Sequence, residues 1–232
     1  MNAFELTGRS RTHIEQLDIP RVALHRDVVA PFLALRAAAA DDGIDLVPSS
    51  AFRDFAGQAK IWNDKFTGAR PLYDRDGKVR EFADLTAPEL VDAILVWSAV
   101  PGASRHHWGT DIDVYDRAAM PEGYVVRLLP EEFAADGVFA RLGEWLNVNL
   151  ERFGFFRPYH HDRGGVYPEP WHISFAPVSV PALAALTPQV VSDALNQESI
   201  LGRDLIMQRL PEIWHTYVAN IAPANATLVA RL

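Results

Sequence analysis

No cysteine occurs anywhere in the 232 residues. That absence excludes disulfides, thiolate zinc fingers, iron–sulfur clusters and cysteine nucleophiles, and it obliges any metal to sit on His, Asp or Glu. Positive charge is also scarce. The 22 Lys and Arg stand against 30 Asp and Glu, for a formal charge of −8 and a pI near 5.4. This is the wrong balance for neutralising phosphate backbones, so nucleic acid is not an expected partner. An uncharged stretch of about 18 residues, the minimum for crossing a bilayer, is missing, so no membrane span is expected. Residues 1–19 carry Glu5, Arg9, Arg11, Glu15 and Asp18 where a signal peptide would need an apolar run. As given, the chain is expected to be cytoplasmic, or to belong to the cell envelope if a leader has been removed.

Apolar material is plentiful. Hydrophobic residues make up 49% of the chain, with six Trp and twelve Phe, enough burial to offset the entropy of ordering. The length suits one domain with decorations, since single domains run to about 250 residues. Helices are expected over residues 24–40 in spite of Pro31, over 54–66, over 86–99 behind a Thr86–Glu89 capping box, and over 131–152, with a break open at Asp136-Gly137 and Gly154 beyond the end. Residues 44–52, 111–114, 155–156 and 171–175 read as short strands. Residues 67–82 read as a long polar loop carrying Arg70, Arg75, Lys78 and Arg80, with Lys65 just before it. A further helical region opens at Thr187-Pro188 and breaks near Gly202. Helices and strands alternate without a βαβ rhythm, so the class is α+β. A small central antiparallel sheet is expected to carry the site, flanked by helices. A catalytic domain over residues 1–176 would be followed by a helical extension, 177–232, packed on it.

The densest chemistry lies in Ser104-Arg105-His106-His107-Trp108-Gly109-Thr110-Asp111-Ile112-Asp113. On a strand, Asp111 and Asp113 project to one side and Ile112 and Val114 to the other. Further along come Glu169-Pro170-Trp171-His172, with His172 fifty-nine residues after Asp113. If His106, Asp113 and His172 converge, they make a nitrogen and oxygen site with a fourth position left for water, as in a catalytic rather than a structural zinc centre. Glu169 would be the base beside that water. His13, His25 and His215 read as ordinary surface or capping residues, and His107 as a packing neighbour of His106. Adjacent residues on an extended chain diverge, so His160-His161-Asp162 reads as a solvated loop at the cleft rim rather than a rival cluster.

Ser104, His106, Gly109 and Asp113, followed by Glu169-Pro170-Trp171-His172, make the sequence resemble the zinc D-alanyl-D-alanine carboxypeptidases of the vancomycin-resistance type and their LD-carboxypeptidase relatives. That superfamily includes lysostaphin-like peptidases and the hedgehog signalling domain. Ser50-Ala51-Phe52-Arg53 with Gln58 adds a milder third match, and the three together span residues 44–176. The resemblance implies one zinc per chain on His106, Asp113 and His172, with Glu169 as base and Arg53 steadying the reacting carbonyl oxygen. It implies peptidoglycan stem peptides or muropeptides as substrate, and substrate-facing positions at Ser50, Gln58, Ser104 and Trp171. Ser104 is equally readable as a cap of its turn, Trp171 as a brace for the strand of His172, and Arg53 as a structural ion-pair partner.

One departure stands out. Asp111 replaces the family's small apolar residue, and it is open to pairing with a cation, tuning His106, or replacing Asp113 on the metal. The expected reaction is removal of a terminal D-amino acid, with a cation of the 67–82 loop holding the free carboxylate. Endopeptidase cleavage at the same site and a non-catalytic zinc-containing recognition module are the alternatives, the latter disfavoured by Glu169. Oligomeric state is not legible.

Overall fold

A computed structural model describes residues 1–229. The chain runs through α1 (Ala3–Leu6), β1 (Ile14–Asp18), β2 (Arg21–His25), α2 (Arg26–Asp41), β3 (Leu46–Ser50), α3 (Phe55–Phe66), β4 (Leu72–Tyr73), β5 (Val79–Arg80), α4 (Ala87–Leu95) and β6 (Asp111–Asp116). It continues through α5 (Ala140–Asn149), β7 (Phe155–Phe156), β8 (His172–Phe175), α6 (Ala176–Ala185), α7 (Pro188–Leu195), α8 (Arg203–Ile213) and α9 (Ala226–Val229). The class is α+β, as expected.

The sheet that matters is antiparallel in the order β3-β6-β8-β7. Strand alternation sorts β6 as the sequence implies. Ile112 and Val114 are fully buried in an apolar layer with Phe32 and Leu35 of α2 and Leu142 and Leu146 of α5, while Asp111 and Asp113 face the other way. Register then fixes the neighbours of Asp113, which stands opposite His172 on β8 and, past a bulge in β3, opposite Ser50. A second apolar layer joins Trp62 of α3 and Ile94 of α4 to Val191 of α7 and Ile206, Leu210 and Ile213 of α8. The helices beyond Pro177 thus share a core with the helices that follow Arg53. Among the described residues no single helix is long and apolar enough to cross a membrane.

Caps explain several boundaries. Asp54 accepts from the Gly57 N–H at 2.8 Å to open α3, and the Thr86–Glu89 capping box opens α4. Gly202, at φ 69°, breaks the C-terminal helices where expected.

Four expectations need correction. Leu24 and His25 belong to β2, because residues 14–25 form a hairpin and the His25 N–H is tied to the Gly109 carbonyl at 2.9 Å, so α2 starts at Arg26. The 67–82 loop carries the β4–β5 hairpin, closed where Asp74 accepts from the backbone N–H groups of Asp76 and Lys78. α4 stops at Leu95 rather than Ala99, so Ser98 and Ala99 reach the wall of a cleft. The helix expected over 131–152 shrinks to Ala140–Asn149. Its first part is held open by Glu132, whose buried carboxylate accepts from the Tyr124 hydroxyl and the backbone N–H groups of Arg127 and Leu129. α6 and the β1–β2 hairpin are elements that the sequence reading did not anticipate.

Candidate metal centre

The 3₁₀ turn Arg105–Trp108 ends at Gly109, whose φ of 66° suits glycine. A Cβ there would lie 2.5 Å from Ile14 Cδ1 and 2.6 Å from the His25 backbone nitrogen. Glycine therefore lets the turn press against β2 and swing His106 toward the sheet. His106 Nδ1 lies 2.8 Å from the Ala51 carbonyl. A carbonyl only accepts, so Nδ1 carries the proton and Nε2 offers its lone pair. Burial pushes the His106 pKa down to about 4, which keeps the ring in the neutral, ligating form.

His172 is oriented the opposite way. Its Nε2 donates to Asp111 Oδ1 at 2.9 Å, which leaves Nδ1 turned to Asp113 Oδ1 at 3.2 Å and Glu169 Oε2 at 3.0 Å. Asp113 Oδ1 is buried and has no hydrogen-bond partner. His106, Asp113 and His172 each present one donor atom within 4.8 Å of the others. Burial opposes charge on His172, yet hydrogen bonding to Asp111 and Glu169 and the charge of the nearby Asp113 carboxylate raise its pKa well above the ordinary imidazole value. The pocket thus calls for positive charge at this nitrogen. A divalent ion held by these two imidazoles and the carboxylate would answer that demand, and the nitrogen and oxygen donor set fits a metal such as zinc.

Asp111 is spoken for. Burial alone would raise its carboxyl, but Arg105 beside it, with His172 and Thr110, holds it well below the usual carboxylate range. Arg105 Nε donates to Asp111 Oδ1 at 2.7 Å, and Arg105 Nη2 donates to Ser174 Oγ at 2.7 Å. Of the three roles left open for it, Asp111 takes the pairing with a cation, Arg105, and the ring it contacts is that of His172 rather than His106. An outer carboxylate that fixes a ligand's tautomer is typically worth about 10- to 100-fold in metal affinity. Asp111→Asn is accordingly expected to weaken zinc binding by roughly that factor, measured by competition with a chromophoric chelator. Unchanged affinity would mean that His172 is oriented by other contacts.

Around the ligands, a cleft of about 100 Å³ is lined by Arg53, Ser98, Ser104, Tyr159 and Glu169 together with His106, Asp113 and His172. Glu169 leaves one oxygen beside His172, and burial raises its pKa against the pull of His172 and Arg53. Arg53 Nη1 donates to Gln58 Oε1 and Nη2 to Ser50 Oγ, both at 2.8 Å. Ser50 and Gln58 therefore buttress Arg53 instead of facing the cleft. Gln58 is fully buried, and Ser50 opens on a separate groove with Arg21 and Phe52. Ser104 makes no side-chain cap bond and lines the cleft. Trp171 stacks on Trp97 at 6.4 Å and walls an adjoining groove of about 370 Å³ that shares Asp113 and Glu169 with the cleft.

His107 stays structural, its Nδ1 donating to the Arg53 carbonyl and its Nε2 accepting from the Gly102 N–H. His160 and His161 are exposed over a shallow hollow on the other side of Arg157. None of Arg70, Arg75, Lys78 or Arg80 lines the cleft. Arg75 pairs with Asp162 and lies over the Tyr167 ring, and Arg70 reaches Asp64 at 3.4 Å. The sequence reading passed over Arg105, Tyr159, Trp97 and Ser98. Arg105 alone carried a signal, as an arginine inside the motif.

Two histidines and an aspartate, with a carboxylate and an arginine beside them, make a cluster of the class that could hold a metal ion. Residues 21–178 match the VanY family of D-alanyl-D-alanine carboxypeptidases, and the chain belongs to that family. An uncharacterized protein of Haemophilus influenzae is 36% identical over 121 residues, 51% of this chain and 92% of that protein. A D-alanyl-D-alanine carboxypeptidase of Enterococcus faecalis is 28% identical over 154 residues, 63% of this chain and 46% of that enzyme. Two solved structures share the fold. A variant of the vancomycin-resistance D,D-pentapeptidase VanY in complex with Zn(II) is 24% identical over 72% of this chain and 81% of that one, with a TM-score of 0.51. VanYB in complex with D-alanine-D-alanine is 23% identical over 80% and 89%, with a TM-score of 0.50.

Proposed function

We propose that this protein is a zinc-dependent peptidoglycan peptidase that removes a terminal D-alanine from stem peptides. The observation that carries the reading is the placement of Glu169 and Arg53 in one cleft with the three converging ligand atoms. His106, Asp113 and His172 would hold the ion, which when bound supplies a Lewis acid and lowers the pKa of water. Glu169, raised by burial, is suited to take a proton from the attacking water and pass it to the leaving amine. Arg53, fixed by Ser50 and Gln58, offsets the charge that develops on the carbonyl oxygen. The larger groove at Trp97 and Trp171 offers room for the upstream stem peptide, and the smaller cleft at Ser98 and Ser104 suits a single small residue beyond the scissile bond. That asymmetry favours exo- over endo-cleavage.

Digesting purified muropeptides and weighing the products tests this reading. Loss of one D-alanine per stem, abolished by chelator and restored by zinc, is the expected result, whereas fragments cut from within a cross-link would move the assignment to endopeptidase. Arg53→Ala should cost roughly 10²- to 10³-fold in kcat, the effect of removing one oxyanion donor. Arg53→Lys should recover only part of it, since it keeps the charge and loses the planar fork. Equal kcat for Arg53→Ala and the wild type would make Arg53 a structural residue.

A further inference from the structure

An exopeptidase must hold a free carboxylate one residue beyond the bond it cuts, and the loop that the sequence offered for this purpose points elsewhere. Two arginines line the cleft, but Arg53 is gripped by Ser50 and Gln58 and Arg105 by Asp111 and Ser174; a third cation, Lys65 on the last turn of α3, stands behind the cleft wall. Its Nζ donates to Ser98 Oγ at 2.7 Å, and Ser98 lines the cleft with Ser104, Arg53 and Glu169. Among the described residues the Lys65 ammonium makes no ion pair within 4.0 Å. Its electrostatic surroundings are Glu169, which attracts it, and Arg70 and Arg53, which repel it, while burial pulls its pKa down to about 8. It remains charged at neutral pH, half-buried, with less anionic company than a desolvated ammonium requires. The geometry also settles which way Ser98 can donate. Its oxygen accepts from Lys65, so its own O–H is free to turn into the cleft, polarised by the charge behind it.

We infer that Lys65 and Ser98 form the anion-binding end of the cleft and hold the terminal carboxylate of the substrate, Ser98 by direct donation and Lys65 through its charge. This assignment rests on the carboxypeptidase reading, and it makes Lys65 the residue that separates acid from amide. Such selectivity has a known scale: a charge-assisted hydrogen bond is worth roughly tenfold or more in affinity.

The test uses zinc-loaded full-length protein and two ligands, a stem tripeptide ending in D-alanyl-D-alanine and its C-terminal amide. Calorimetry on the Glu169→Gln protein measures binding without turnover. The acid is expected to bind at least tenfold more tightly than the amide, with Lys65→Met in that background bringing the ratio close to one and Lys65→Arg restoring part of it. In the Glu169-containing enzyme the loss should fall on KM for the acid, with little change for the amide. Melting temperature and zinc content, unchanged by Lys65→Met, separate this from a structural defect. A parent protein that binds acid and amide alike, or a Lys65→Met protein that keeps the parent's ratio, would overturn the assignment. If the ratio collapses as expected while the wild-type enzyme releases no D-alanine, Lys65 stands as an anion anchor and the proposed function fails.

Discussion

Glu169→Gln is expected to keep fold and metal while its turnover on stem peptides falls by roughly 10²- to 10⁴-fold, the usual share of a general base. The substitution changes almost nothing but charge and proton affinity. The backbone around residue 169 is pinned independently, since its N–H donates to the Tyr159 carbonyl at 2.9 Å and its carbonyl accepts from the His172 N–H at 3.1 Å. The converging ligand atoms belong to His106, Asp113 and His172, so the metal retains its donors. Burial raises the Glu169 carboxyl and costs free energy whenever it is ionised, so replacing it with an amide should leave the melting temperature level or higher. Metal content by elemental analysis, melting by circular dichroism and D-alanine release by mass spectrometry check the three limbs separately. Near-wild-type turnover would place the base elsewhere in the cleft.

The convergence of His106, Asp113 and His172 was legible because two short-range regularities carry it. Strand alternation puts Asp113 on the face opposite Ile112 and Val114, and a turn closed by Gly109 can only deliver His106 to that same face. What the sequence could not show is how separate elements meet. Asp111 finds His172 through the β6–β8 register, sixty-one positions apart, and its second partner Arg105 lies in a turn whose side-chain direction no pattern reveals. Ser50 and Gln58 were placed correctly beside Arg53, but spacing alone does not say whether they face substrate or grip the guanidinium from behind. The same limit applies to the cations of the 67–82 loop. Charge count flagged that stretch, yet the hairpin turns Arg75 to Asp162, and it is Lys65, just before the stretch, that bonds a cleft-lining side chain, Ser98. The over-long helix at 131–152 failed for a local reason: its helix-favouring Glu132 spends its carboxylate on the loop before it. α6 escaped notice because Pro177 and Pro181 interrupt a segment whose first four residues are all buried, so no amphipathic period shows.

His172→Ala is expected to lose metal and activity together, and so to separate holding the ion from handling the proton. Its imidazole touches Asp111 through Nε2 and both Asp113 and Glu169 through Nδ1. Removing it takes away one of the three donors, and zinc affinity should fall by more than the roughly 10- to 100-fold that an outer-sphere partner contributes. It also leaves Asp113 and Glu169 facing each other with no cation between them. The fold should survive this, because Asp111 keeps Arg105 and Thr110 as donors, and β8 keeps its pairing to β6 and β7. The vacated space beside the Tyr159 ring, now 5.0 Å from the imidazole centroid, should lower stability by about 2–4 kcal/mol. Imidazole in the buffer fits that space and should return part of the zinc binding, a rescue that a misfolded protein would not show. If His172→Ala instead binds zinc as the wild type does, the ion is held by other groups and the assignment of His106, Asp113 and His172 falls with it.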